Sequence, residues 1–125
     1  MRLKLGYKTL DYSHGYYTIP KFYIDYNHNL ASWAGYPIEG FSHRAILCRH
    51  TLEHIPIDLW DHNLKEMYRV LRPGGECRII CPNYEAHNYQ IHKYDPDKPE
   101  NHVVMVSEIL LHDFMVQAGF TRIRN

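Results

Sequence analysis

Between residues 45 and 124 the hydrophobic pattern switches back and forth between strand-like runs and helical spacing. Few folds accommodate that order. Residues 45–48, AILC, form an apolar run of strand length. After Pro56, the segment DLWDHNLKEMYRVL places Leu59, Trp60, Leu64, Met67, Tyr68 and Leu71 at helical spacing, with Asp58 expected to cap the start and Asp61 in the first turn. Pro73-Gly74-Gly75 is expected to stop this helix, and ECRIICPN to follow as a second buried strand closed by Pro82 and Asn83. A polar connection from about 83 to 102 reads as a loop. Ser107 then opens a helix with Leu110, Leu111, Phe114, Met115 and Ala118 on one face and Gly119 at its exit, and FTRIR offers a last short strand. Strand, helix, strand, helix, strand predicts an α/β protein with a mainly parallel sheet. In the first half, residues 2–5 suit a first strand ending in Leu5-Gly6. The segment YYTIPKFYIDY suits one or two short strands interrupted by Pro20.

Size and charge narrow the function classes. A chain of 125 residues suffices for one domain, taken as residues 1–125, and is short for two well-packed ones. Lys plus Arg and Asp plus Glu balance at 14 each, so neither nucleic acid nor a membrane surface is the expected partner. No apolar run approaches the roughly 20 residues that span a bilayer, and MRLKLGYKTL lacks the apolar core of a secretory signal. Cys48, Cys77 and Cys81 lie in apolar runs, as expected of reduced thiols, and a cytoplasmic location is the expectation.

Arg49 to Pro56, RHTLEHIP, contains H-x-x-E-H, which on a helix is the spacing of a zinc-peptidase ligand pair. Here Pro56 follows His54 closely and an extended run precedes His50, so the two imidazoles are not expected a helical turn apart. No metal is expected from this motif. Were it a zinc pair, Glu66, Glu76, Glu85 or His87 would be the nearest third ligands.

The run ILCRHTLEHIPIDLWDHNLKEMYRVLRPGGECRIICPN closely resembles the second half of class I S-adenosylmethionine-dependent methyltransferases, in particular the type 11 domain. Members of that group read as an apolar strand, H-x-L-E-H, a helix ending in R-V-L-K-P-G-G, and a strand ending in P-N or P-D. The closing AGFTRIR is similar to the end of the same domain. The resemblance implies a three-layer Rossmann-like fold with a mostly parallel sheet, reduced in its N-terminal half. It also implies methyl transfer from S-adenosylmethionine to a small acceptor.

By the same resemblance, Leu5, Gly6, Tyr7 and Lys8 occupy the cofactor's glycine turn. Gly6 keeps the first glycine, while Lys8 replaces the second and Pro20 stands where the family carries its ribose acid. A side chain at such a turn costs about 1 to 2 kcal/mol, and a lost carboxylate–ribose bond about 1.5 to 3. Together these would move a micromolar affinity toward millimolar. The alternative expectation is therefore a methyltransferase-like binding or interaction protein that does not catalyse. Asp25 lies 19 residues after Gly6, near the spacing of a ribose acid in Rossmann-type sites. In a competing register Asn29-Leu30 takes the place of the family's adenine-contacting D-L pair.

In a doubly wound sheet Arg49 and His50, directly after AILC, border the ligand crevice. His50 or His54 can accept a proton near neutral pH where the acceptor must lose one, and His50 is the residue assigned that catalytic role. The 11 tyrosines lack the interleaved cations of a nucleic-acid surface. A thinly covered sheet face makes a homodimer the expected assembly.

Overall fold

A computed structural model describes the backbone of residues 2–5 and 23–24, together with residues 30–84, 89–98 and 100–124. The strands are β1 (Arg2–Leu5), β2 (Tyr23–Ile24), β3 (His43–Arg49) and β4 (Leu71–Ile80), and the helices are α1 (Trp60–Val70) and α2 (Glu108–Ala118). The strands form one sheet in the order β2-β1-β3-β4, and every neighbouring pair is parallel. The predicted α/β class and parallel sheet are present.

Each element follows from its residues. On β3, Ile46 and Cys48 are buried, and α1 buries Trp60, Leu64 and Met67, as its helical spacing predicts, together with Val70, while Tyr68 of the expected stripe is exposed. Helix α2 packs on α1, with the Phe114 ring edge-on to Trp60 at 5.3 Å. Its ends are those read from the sequence. The Ser107 side chain accepts a hydrogen bond from the Leu110 N–H at 3.2 Å, and Gly119 closes the helix in the left-handed conformation at φ 112°. Asn63, fully buried on α1, donates to the carbonyls of Leu30 and Leu59, both at 2.9 Å. Its carbonyl oxygen accepts from the Tyr36 hydroxyl at 2.7 Å, so segment 30–36 is fastened to the helix with no polar atom of Asn63 wasted.

Several expectations are corrected. Asp58 does not cap α1; it lies in the 3-10 turn Ile57–Leu59, and the helix begins after Leu59 without a side-chain cap. The expected stop at Pro73-Gly74-Gly75 is instead an irregularity within β4. Helix α1 passes into extended backbone at Leu71, which pairs with His43, and pairing resumes at Ala45 with Glu76. The residues between loop out, and Gly74 supplies the positive φ of 78° that this requires. β4 is not buried on both faces. It is the edge of the described sheet, with Leu71 buried at its start, Glu76, Arg78 and Ile80 exposed, and Cys77 and Ile79 packed against the core. Charged residues on such an edge discourage unwanted strand pairing. FTRIR forms no strand, because Arg122 takes a left-handed φ of 54° that breaks the extended run. Among the described residues there are two layers, the sheet and the packed α1–α2 pair.

The connection from 83 to 102 carries no helix or strand among its described residues, as expected. All three cysteines are free thiols, Cys48 buried and Cys77 and Cys81 half-buried. No described helix is long and apolar enough to cross a membrane.

Candidate functional site

The strand order locates the site. The chain passes from β1 outward to β2 and returns to β3 on the other side of β1, so the winding reverses between β1 and β3. In open parallel sheets ligands bind beyond the carboxyl ends of the strands at such a reversal. Leu5, at the end of β1, lies opposite Cys48, and Arg49 and His50 follow directly.

His50 stops β3 by turning the chain sharply. Its φ is 50°, an uncommon value for a residue with a side chain and one that histidine tolerates better than most. Its N–H still donates to the Ile80 carbonyl at 2.8 Å, so the strained residue is held by β4. The next residues form the single 3-10 turn Leu52–His54 rather than an α-helix. The zinc-peptidase geometry of H-x-x-E-H is therefore not formed. Trp60 fixes this turn from below, its indole N–H donating to the carbonyls of Leu52 at 3.0 Å and Ile55 at 3.1 Å. From the far end of the chain the loop around residue 103 docks on it, with the N–H groups of Val103 and Val104 donating to the Glu53 carbonyl at 2.8 and 3.3 Å.

These connections enclose a cleft of about 380 Å³ at the carboxyl ends of β3 and β4, lined by His50, Glu53, His54, Cys81, Asn83 and His102 among others. That volume is in the range of small-molecule sites. A larger concavity of about 1230 Å³ runs along β4 and α2, but it lies away from the strand ends where parallel sheets bind ligands.

The chemistry of the cleft is set by burial. Glu53 has no exposed surface, and burial raises its carboxyl pKa to about 7. Neither carboxylate oxygen meets a well-formed hydrogen-bond donor among the described residues. The adjacent Cys81 thiol, itself pushed up by burial and then by the charge of Glu53, offers only a weak S–H contact. His50 Nδ1 is 3.7 Å from Glu53 Oε2, too long for a hydrogen bond but within ion-pair reach. Burial first, and then the Arg49 charge, lower the His50 pKa and favour the neutral imidazole. His54 Nδ1 lies 3.0 Å from the Asn101 carbonyl, which can only accept, so that nitrogen carries the proton. The His54 and His102 rings meet edge-on at 4.7 Å, and the Tyr84 hydroxyl is 2.6 Å from His102 Nδ1.

Of the residues singled out in the sequence, His50 and His54 line this cleft, and Arg49 is exposed beside it. Leu30 does not line it. Its side chain is 1% exposed within the hydrophobic core. Gly6, Tyr7, Lys8, Asp25 and Asn29 lie outside the described residues, as do Glu85 and His87. Glu66 is engaged by Arg69 and the Tyr36 N–H, and Glu76 is on the exposed face of β4. Sequence reasoning missed His102. Only the apolar Val103, Val104 and Val106 beside it, of which Val104 and Val106 are buried, mark its loop as anchored.

A family model described as a methyltransferase domain, the type 11 model, matches residues 13–79, just over half of the 125-residue chain. The matched segment contains β2, β3, RHTLEH, α1 and β4 as far as Ile79, and leaves Leu5, Gly6, Tyr7 and Lys8 outside it. No curated protein and no solved structure matches the chain.

Proposed function

This chain belongs to the type 11 methyltransferase domain family, and on that premise we propose that it transfers a methyl group from S-adenosylmethionine to a small acceptor held in the cleft at the ends of β3 and β4. The observation that carries the reading is the cleft itself. It opens at the carboxyl ends of a parallel sheet whose order reverses one strand away, and His50 borders both places.

The whole chain then acts as a single, three-layered, Rossmann-like domain. The segment Leu5, Gly6, Tyr7 and Lys8 would hold the cofactor's amino-acid end, and Arg49 and His50 would border its other side. S-adenosylmethionine supplies, when bound, an electrophilic methyl carbon on a sulfonium. The chain's own work is positioning: the cleft walls hold the acceptor in line and exclude water. Where the acceptor must lose a proton, His50 takes it, since burial keeps its imidazole neutral and so able to accept one.

β2 is Tyr23–Ile24, and Asp25 follows it directly in sequence, which favours Asp25 over Asn29 as the ribose or adenosine contact. Asp25→Ala is expected to weaken S-adenosylmethionine binding more than tenfold in a fluorescence or calorimetric titration, and Asn29→Ala to change it little. The reverse order would assign the contact to Asn29. Lys8 in place of the family's second glycine favours one other reading, a domain that binds a ligand without turning it over. Saturable cofactor binding with no transfer to any member of an acceptor panel would support it.

A further inference from the structure

Three groups with metal-ligating chemistry converge in the cleft although they come from a 3-10 turn and a loop far apart in sequence. One ligand atom from each of Glu53, His54 and His102 lies within 4.8 Å of the others. We propose that these three residues form a binding site for a divalent first-row transition ion such as zinc, with His50 beside it.

The ligand set is two imidazoles and one carboxylate, which suits zinc and its neighbours and not calcium or magnesium, which prefer all-oxygen shells. A tetrahedral shell with bonds near 2.0 Å places ligand atoms about 3.3 Å apart, so the widest separation must close by at most ~1.5 Å, within reach of side-chain rotation. The surroundings are those that metal-bound histidines require. His54 Nδ1–H donates to the Asn101 carbonyl, which leaves the lone pair on Nε2. The Tyr84 hydroxyl pairs with His102 Nδ1, and ligation selects the tautomer in which that nitrogen donates to the tyrosine oxygen.

The second, independent observation is Glu53. A carboxylate with no exposed surface and no well-formed hydrogen-bond donor among the described residues is costly to bury. A cation between it and the two rings removes that cost. The backbone supports the same reading, because the N–H groups of Val103 and Val104 clamp the His102 loop to the carbonyl of Glu53 itself.

All three residues also line the cleft, so an ion there keeps a coordination position for water or for an oxygen atom of the acceptor. That use of the ion rests on the methyl-transfer reading. Ion binding does not, and its test needs no cofactor.

The full chain, made without a histidine tag and stripped with a chelator, is dialysed against zinc and separately against cobalt(II). The expected result is about one tightly held zinc, and visible absorption bands of a four- or five-coordinate cobalt ion. Glu53→Gln and the half-buried His102→Gln should each weaken zinc binding at least tenfold, while the exposed His112→Ala leaves it unchanged. If Glu53→Gln fails to fold, His102→Gln carries the test. Failure to retain stoichiometric zinc, or equal affinity in wild type and His102→Gln, overturns the proposal. Neither outcome touches the methyl-transfer reading, which is tested by cofactor binding together with transfer to an acceptor panel.

Discussion

His50 joins strain and position in one residue. Its φ of 50° is tolerated by glycine without cost, by histidine with some, and by β-branched residues with much more. His50→Gly should therefore leave the urea midpoint nearly unchanged, while His50→Val lowers stability by about 1 to 2 kcal/mol. Equal midpoints for the two variants would mean that the turn does not need the left-handed conformation. Glu66 gives a pH-dependent prediction. Burial alone would raise its carboxyl, but hydrogen bonds from Arg69 and from the Tyr36 N–H outweigh it and hold the carboxyl below its usual 4.5. A group depressed in the folded state contributes stability that is full above its unfolded value and is lost as pH falls through the folded value. Wild type should thus lose stability below about pH 4.5 more steeply than Glu66→Gln in denaturant melts. Parallel acid profiles would remove Glu66 from the account.

Among the elements, α2 was the most legible and the strand after it the least. Ser107 and Gly119 are local signals whose physics is nearly independent of context, and both ends form as read. Ser107→Ala should cost about 1 kcal/mol. Gly119→Ala should cost more than Gly-to-Ala changes elsewhere, since φ is 112° and an added Cβ would lie 3.0 Å from the Tyr68 ring. Chemical denaturation checks both, and a stabilising Gly119→Ala would contradict the assigned cap. FTRIR, by contrast, has strand-forming residues, but a strand needs a partner, and nothing in a short apolar run says whether a sheet edge is offered. β4 shows the same limit. Its CRIIC run is apolar enough for full burial, but edge position is a property of the sheet, so half of it faces outward.

For the molecule as a whole, periodicity and the H-x-L-E-H to P-G-G run were enough to read the fold class, the parallel order and the family. The candidate site was legible only in part. His50 and His54 follow from their place after a strand, because parallel sheets bind ligands there. Glu53 entered only as the acid of H-x-x-E-H, since its burial is invisible in sequence. His102 joins it across 48 intervening positions through backbone hydrogen bonds that carry no side-chain signature. The central claim is that this family member holds S-adenosylmethionine at the ends of its parallel strands despite the altered LGYKT turn. Calorimetric titration of the full chain with S-adenosylmethionine tests it most directly. Saturable one-site binding near micromolar, competed by the demethylated product S-adenosylhomocysteine, is the predicted result, and no heat at millimolar ligand at two temperatures would contradict it.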